Sequence, residues 1–158
     1  MNQVTPTGYI DEDDWWSNET NAYDDNINTS ADTDYIDAGT QSGHLELNIA
    51  LPVSCDRIRA AALAFYNEGR AWLSMGAEVY YNDGWHFAGN LILDGQLREL
   101  LLNGIYVVGK MRFRGSASED YPEGGYFSLY EADFGQVSIR PLVNGSLAES
   151  VLLEKGLV

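Results

Sequence analysis

Lysine, arginine and histidine are absent from the first 41 residues of the chain, which carry ten of its acidic side chains. The 158-residue sequence as a whole has 24 acidic against 9 basic side chains, a net charge of −15. A surface this negative repels the phosphates of nucleic acids and the head groups of anionic lipids. The composition therefore argues against direct binding to nucleic acid or to a membrane, and favours a partner with a basic surface.

Cysteine is almost absent as well, because Cys55 is the only one. No disulfide can form within the chain, which excludes the cross-linked framework of small secreted domains and is typical of a reducing compartment. The first residues also lack the basic and apolar regions of a signal peptide. We therefore expect a cytoplasmic or virion location and no secretion by a signal peptide.

The motifs that enzymes and metalloproteins use are missing too. The two histidines, His44 and His86, lie far apart in the sequence, and neither a zinc-ligand spacing nor a glycine-rich phosphate loop occurs. Acidic residues are so numerous that a pair of carboxylates has no diagnostic value. We therefore predict no catalytic residue, no cofactor and no enzymatic activity, and we interpret Cys55 as a buried structural residue.

One segment partly matches a calcium-binding loop. Asp24, Asn26 and Asn28 have the spacing of the first three ligands of an EF-hand. Thr29, however, stands where the loop needs glycine, and Tyr35 stands where it needs a bidentate glutamate. The match fails at its two most restrictive positions, so we predict no metal site.

The composition of the chain changes near residue 42. Residues 1–41 are rich in acidic, Asn, Thr and Ser residues and show no apolar periodicity. Such a segment buries too little apolar surface to offset its ordering entropy, so we predict an extended acidic arm that is disordered unless docked. Residues 42–158 contain all the basic residues and are predicted to form a single compact β-rich domain.

The arm nevertheless carries aromatic side chains at intervals, which is typical of segments that fold onto a partner. We predict that these residues are its anchors: Tyr9, Trp15, Trp16, Tyr23 and Tyr35. A merely solubilising tail is the alternative. The sequence leaves open whether the arm docks on its own domain or on another chain.

The segment after the arm has the patterns of antiparallel strands. Residues 44–51 alternate apolar and polar side chains, as a half-buried strand does. Ser54 fits the N-cap of an amphipathic helix at about 54–73, and residues 82–84, Asn-Asp-Gly, fit the turn of a β-hairpin. Residues 96–103 fit a helix or a strand. The predicted fold class is α+β, mainly antiparallel β in a sandwich- or barrel-like body, with one helix and the acidic arm.

Basic residues cluster on one strand of this predicted body. Lys110, Arg112 and Arg114 alternate along the sequence and therefore share one face of the strand. A solvated sheet face is the plain interpretation. The alternative is a basic surface that receives the acidic arm of an adjacent copy.

These patterns favour a non-enzymatic structural or assembly protein that docks through its acidic arm, such as a capsid- or tail-associated accessory protein of a virus or phage. Its partner would be another protein or copies of itself, in an oligomer or a larger assembly. The alternative is an acidic inhibitor that mimics nucleic acid and occupies the basic groove of a DNA-handling enzyme. The sequence identifies neither the partner nor the oligomeric state.

Overall fold

The computed structural model describes residues 2–66, 73–118 and 124–137. Within these ranges nine strands form one antiparallel sheet. The strands are β1 (Asn2–Val4), β2 (Gly8–Ile10), β3 (Trp16–Ser17), β4 (Ala31–Thr33), β5 (Leu45–Tyr66), β6 (Leu73–Tyr81), β7 (Gly84–Asn90), β8 (Arg98–Ala117) and β9 (Gly125–Gln136). A short 3₁₀ helix, Glu19–Tyr23, lies between β3 and β4. No helix in this described part of the chain is long and apolar enough to cross a membrane.

The strand β5 lies at the centre of the strand order, which runs β3-β4-β9-β5-β8-β6-β7. One edge of β5 pairs with β8, from Leu45 opposite Phe113 to Ala60 opposite Arg98. Its other edge pairs first with β2 and then, from Cys55 onward, with β9. This one strand therefore connects every part of the sheet.

The length of β5 requires it to bend. A straight strand of its 22 residues would span about 70 Å, whereas a compact domain of this size has a radius of gyration of about 15 Å. The pairing of β5 with β8 shifts register between Asn48 and Val53 and again between Cys55 and Arg57. Such bulges bend a strand. The first part of β5 therefore pairs with β2, and its last part pairs with β9.

The predicted amphipathic helix at about 54–73 is wrong. Residues 54–66 belong to β5, and residues 67–72 lie outside the described part of the chain. The α+β class is therefore wrong as well, because the described residues form a nearly all-antiparallel β structure whose helical content is the short 3₁₀ turn.

The reason for this error is visible in the side chains of β5. Ile58, Ala60 and Ala62 are buried at a spacing of two residues. Arg57 and Arg59 alternate with them and form ion pairs with acidic side chains on β8 and β9. Backbone pairing along both edges, together with this alternation, outweighs the helical spacing of the alanines.

Two further predictions concern the turn at residues 82–84 and the segment at residues 96–103. The predicted hairpin turn is confirmed, because Asn82 and Asp83 join β6 to β7 with φ values of 49° and 63°. These left-handed values are those of a two-residue hairpin turn. Within the ambiguous segment at 96–103, residues 98–103 are part of strand β8.

The segment predicted as an arm docks on its own chain. Strand β1 pairs with β9, β2 pairs with β5, and β4 pairs with both β3 and β9. Ile36 and Gly125 exchange two backbone hydrogen bonds, of 2.8 and 3.0 Å. That residues 42–158 form a compact domain separate from residues 1–41 stays a prediction.

The core includes side chains from this N-terminal segment. Trp16 is 2% exposed, and its indole N–H donates to the backbone oxygen of Gly43 at 3.1 Å. The largest fully buried side chains are Phe113, Phe127, Phe134, Ile36, Leu45, Leu47, Ile58, Met75, Met111, Leu129, Val79 and Val108. Cys55 is buried, as expected, and burial, with the charge of Asp56 adding to it, raises the pKa of its thiol to about 12.

Trp16→Ala should lower the free energy of unfolding by about 3–5 kcal/mol, because it removes a buried aromatic ring and leaves a cavity. Ile27→Ala is the matched control in the same segment, since Ile27 is 47% exposed, and it should change stability by less than about 0.5 kcal/mol. Urea denaturation followed by circular dichroism measures both. Equal midpoints for the two variants would contradict the integration of residues 2–41 into the core.

Candidate functional site

Five neighbouring strands, β2, β5, β8, β6 and β7, present one polar face. In antiparallel pairs, residues directly opposite each other point to the same side of the sheet, so the registers define rows of side chains across the strands. The first row is Gly8, Asn48, Lys110, Tyr80 and Trp85; the second is Ile10, Glu46, Arg112, Glu78 and Phe87; the third is Arg114, Gly76 and Asn90. We call this surface the polar sheet face.

On the three middle strands, β5, β8 and β6, the residues between these positions point the other way, into the core. Leu47 of β5, Met111 and Phe113 of β8, and Val79 of β6 are all fully buried. This alternation is the period of two that a strand with one solvated face requires. The apolar packing of one side therefore fixes which polar side chains the other side presents.

A chain of hydrogen bonds fixes the charged side chains of the face. Arg112 Nε donates to Glu78 Oε1 at 2.9 Å, and His44 Nε2 lies 3.2 Å from the same oxygen. Arg114 donates from Nη2 to His44 Nδ1 at 3.2 Å and from Nη1 to Gln41 Oε1 at 3.0 Å. His44 thus accepts at Nδ1 and donates at Nε2, which is the pattern of one neutral tautomer.

The electrostatics agree with this assignment. Burial, and after it the charges of Arg114 and Arg112, lower the pKa of His44, so the ring is neutral at neutral pH. Burial raises the pKa of Glu78, but its hydrogen bond and charge interaction with Arg112 outweigh that effect, and the pKa lies below the ordinary value. Glu78 is therefore an ionised carboxylate whose Oε1 is shared by Arg112 and His44.

Aromatic rings border these charges along β7. The guanidinium of Arg112 lies 4.1 Å from the centre of the Trp85 ring, and Tyr80 packs edge-on against Trp85 at 5.3 Å between centroids. Phe87, two residues further along the strand, is 66% exposed. Phe87 and Trp85 thus place two aromatic side chains on the polar sheet face, and aromatic rings are enriched in binding sites.

Three adjoining recesses lie on the polar sheet face. The lysine recess, of about 670 Å³, includes Asn48, Tyr80 and Lys110 in its lining. The acidic recess, of about 210 Å³, is lined by Ile10, Glu12, Asp13, His44, Glu46, Trp85 and Arg112. The arginine recess, of about 250 Å³, is lined by Gln41, His44, Ser74, Gly76, Glu78, Phe87, Asn90, Arg114 and Ser116. His44 lines both of the last two, and Glu46 lines both of the first two.

A further groove, of about 440 Å³, borders the same strand β7 near the hairpin turn. Its wall includes Tyr81, which stacks on His86 at 3.9 Å and on Tyr106 at 3.8 Å between ring centroids. Trp85 and Phe87 line it as well, and none of its lining residues is an acid, a lysine or an arginine. The polar sheet face, with its fixed charges, is better equipped to orient a polar ligand.

Two buried polar atoms of the face have no hydrogen-bond partner among the residues that the structure describes. They are Oε2 of Glu46, an acceptor, and Nε of Arg114, a donor. Buried polar groups are nearly always paired in folded proteins. The face therefore contains one acceptor and one donor that are shielded from solvent and unpaired within the described part of the chain.

The five aromatic residues predicted as arm anchors lie at different depths against their own chain. Trp16 is buried, Trp15 and Tyr23 are partly buried against the core, and Tyr9 is 42% exposed. Tyr35 packs edge-on against a tyrosine of β9, with 5.3 Å between ring centroids. As anchors for a partner they stay a prediction.

The basic residues singled out from the sequence lie together on the polar sheet face. Lys110 lies over the Tyr80 ring at 4.9 Å, and the neighbours of Arg112 and Arg114 belong to the same chain. Sequence reasoning did not identify the residues that complete the site, chiefly Trp85 on β7 and carboxylates on β5 and β6. Alternation along β6 and β7 is a signal that could have placed them on one face.

A cluster of carboxylates lies near the start of β3. Asp11, Asp14 and Glu19 each have an oxygen within 4.8 Å of the others. Asp11 accepts backbone hydrogen bonds from Trp15 and Trp16, at 3.1 and 2.9 Å, so it closes the turn before β3. The prediction that the chain has no metal site stays a prediction.

The segment that partly matches a calcium loop is closed by its own hydrogen bonds. Asp24 accepts from the backbone of Asn26 at 3.0 Å and from the hydroxyl of Thr29 at 2.6 Å. Glu131 of β9 also accepts from the backbone of Asn26, at 3.0 Å. Burial, with the carboxylates of Asp24 and Asp25 adding to it, raises the pKa of Glu131 to about 7.

The sequence matches no protein-family model and no curated protein, but solved structures resemble the fold. The family 32 carbohydrate-binding module of AlyQ, in complex with 4,5-unsaturated mannuronic acid, is 11% identical with a TM-score of 0.56, over 85% of this chain and 98% of that chain. The family 32 module of NanJ from C. perfringens, in complex with galactose, is 13% identical with a TM-score of 0.51, over 84% and 90%. Chitosan-binding module 1 of a chitosanase/glucanase from Paenibacillus sp. IK-5 is 14% identical with a TM-score of 0.51, over 83% and 95%. At such identities the likeness shows the fold.

These neighbours correct the functional prediction. The virion assembly protein and the nucleic-acid mimic are both wrong, because the solved structures of this fold point to sugar binding instead. The prediction of purely protein partners, including copies of the chain in an oligomer, is wrong for the same reason. The modules named above are non-catalytic, and the prediction of no enzymatic activity for this chain stays a prediction.

Glu131→Gln should remove a pH dependence of stability. The folded protein holds the Glu131 proton up to about pH 7, whereas an ordinary glutamate loses it near 4.5. The unfolded chain therefore binds fewer protons in this window, and the contribution of Glu131 to stability falls as the pH rises from about 4.5 through about 7. Thermal denaturation should show wild type losing stability relative to Glu131→Gln across this window, with Glu12→Gln as a control that keeps the wild-type trend. Parallel profiles for wild type and Glu131→Gln would contradict the raised pKa.

Proposed function

We propose that the protein is a non-catalytic carbohydrate-binding module whose ligand lies on the polar sheet face. The observation that carries the proposal is the position of Trp85 and Phe87 on one side of β7, beside the charged and amide side chains of the other strands. A sugar ring has an apolar side made of C–H groups and a rim of hydroxyl groups. Aromatic rings and planar polar side chains match these two parts.

The hydrogen-bonding side chains of the face support this ligand class. A hydroxyl group both donates and accepts a hydrogen bond, and the recesses are lined by acceptors such as Glu46 and Asn48 and by donors such as Lys110 and Arg114. The adjoining recesses lie along the strands, so a chain of several sugar units fits the face better than one unit does. The fold supports the same class, since its solved neighbours are carbohydrate-binding modules.

The absence of catalysis is part of the proposal. Hydrolysis of a glycosidic bond needs a carboxylic acid with a raised pKa, paired with a second carboxylate. On the polar sheet face the pKa of Glu78 is lowered instead, and its carboxylate is held by Arg112 and His44. A bound oligosaccharide should therefore be recovered with its chain length unchanged.

Phe87→Ala should weaken the binding of oligosaccharides about two- to tenfold, since a stacked aromatic ring contributes about 0.5–1.5 kcal/mol beyond its burial. Trp85→Ala should have at least as large an effect, because it also releases Arg112. Affinity electrophoresis against a panel of soluble polysaccharides identifies a ligand, and titration calorimetry with its oligomers gives the affinities.

Phe65→Ala is the matched control for this experiment. Phe65 is likewise an exposed phenylalanine, at 45%, but it lines none of the recesses of the polar sheet face. Its removal should leave binding unchanged. Binding that survives Phe87→Ala and Trp85→Ala, or a panel in which no polysaccharide retards the protein, would contradict the proposal.

A further inference from the structure

His44 lies between two of the recesses of the polar sheet face and lines both of them. Each of its ring nitrogens has a charged neighbour. Nδ1 lies 3.2 Å from Nη2 of Arg114, and Nε2 lies 3.2 Å from Oε1 of Glu78. Because a guanidinium can only donate and an ionised carboxylate can only accept, this arrangement fits the neutral ring with its proton on Nε2.

A second proton on His44 would break one of these two contacts. The proton would have to sit on Nδ1, which would then be a donor facing another donor, Nη2 of Arg114, at 3.2 Å. Both groups would also carry a positive charge, and like charges at this distance repel each other. The contact with Glu78 would become a charge-assisted hydrogen bond, so Arg114 is the side chain that has to move.

Arg114 is the permanently charged cation in the lining of the arginine recess. Its Nη1 donates to Oε1 of Gln41 at 3.0 Å, and its Nη2 donates to His44. Phe87 lines the same recess, so a sugar unit stacked on the Phe87 ring would lie beside the guanidinium. A donor that its neighbours already hold in place loses less conformational entropy when it binds a hydroxyl group than a mobile donor does.

The surroundings of His44 determine when this contact is lost. The charged and titratable side chains that share a recess with His44 come from four parts of the chain: Arg112 and Arg114 of β8, Glu78 of β6, Glu46 of β5, and Glu12 and Asp13 before β3. Burial, and after it the charges of Arg114 and Arg112, lower the pKa of His44 below its ordinary value of 6.5, and Glu78 offsets part of this effect. The ring is therefore neutral at neutral pH and takes up its second proton in acid.

We infer that His44 is a positioning residue of the binding site, which in its neutral form holds Arg114 in the arginine recess, so that the affinity for a sugar chain falls when the ring is protonated. This inference rests on the proposed function. Linkage makes the effect reciprocal: a ligand that binds the form with a neutral ring also makes the ring harder to protonate, by the same factor.

The test measures the affinity of the full chain for three uncharged hexaoses, cellohexaose, mannohexaose and galactohexaose, by titration calorimetry from about pH 7.5 to about pH 4.5. These sugars have no group that titrates in this range, so any pH dependence belongs to the protein. Below the pKa of His44, the affinity should fall by up to about tenfold per pH unit, which is the limit for the uptake of one proton.

His44→Gln supplies one acceptor and one donor but does not titrate. The pH slope of its affinity should be much smaller than that of wild type. Glu131→Gln is the matched control, because Glu131 titrates in the same range but lines none of the recesses of the polar sheet face. This variant should keep the wild-type slope, and so should His86→Gln, which removes the other histidine of the chain.

Nuclear magnetic resonance gives a second readout, which a merely structural role of His44 would not change. The chain has two histidines, so comparison with His44→Gln identifies the ring signals of His44. Saturation with a hexaose that binds should lower the pKa of His44 further. In the free protein, Arg114→Gln should raise the pKa of His44, because it removes one of the charges that lower it.

Each outcome decides between the two claims. If a hexaose binds with the same pH slope in wild type and in His44→Gln, the inference is wrong and the carbohydrate-binding function stands. The same conclusion holds if Glu131→Gln removes the slope, because the titrating group then lies outside the site. If none of the three hexaoses binds, the inference fails, and the wider panel of polysaccharides decides whether the proposed function fails with it.

Discussion

Hydrogen bonding along both edges of β5 holds the rest of the structure in place. One edge is occupied by β8, and the other by β2 and then β9, so the polar sheet face and the half of the sheet around β9 share a single strand. Arg59 reinforces the second contact by donating to both oxygens of Asp133, at 3.0 and 2.7 Å. Because bulges bend β5 between these contacts, the strand can present Glu46 and Asn48 on the polar sheet face while its far end lies against β9.

Local patterns in the sequence predicted local structure well. The hairpin turn at Asn82 and Asp83 follows from residues that tolerate left-handed backbone angles, and the alternation of Lys110 and Arg112 follows from the period of a strand. The helix at about 54–73 was predicted wrongly because a run of alanines fits both a helical stripe and a strand between two neighbours. Only pairing with distant strands decides between them.

The site could not be predicted in full, because its members meet only through long-range register. Glu46, Arg112 and Trp85 lie on three different strands, and no short motif connects them. The acidic composition of the chain led to the prediction of a protein partner with a basic surface. In the structure two of the N-terminal acids, Glu12 and Asp13, border one recess together with Glu46 and Trp85, an arrangement that composition does not indicate.

The way in which the N-terminal segment is paired has a consequence for aggregation. Strands β1 and β4 lie along the outer edge of β9, and β2 lies along the outer edge of β5. A chain that begins at residue 42 would expose these edges as rows of unpaired backbone N–H and C=O groups. Such edges pair with strands of other molecules and promote aggregation. The shortened chain would also lose ten negative charges that keep molecules apart. Residues 2–41 thus oppose aggregation in two ways: their strands pair with the edges of β5 and β9, and their negative charges repel other molecules of the protein.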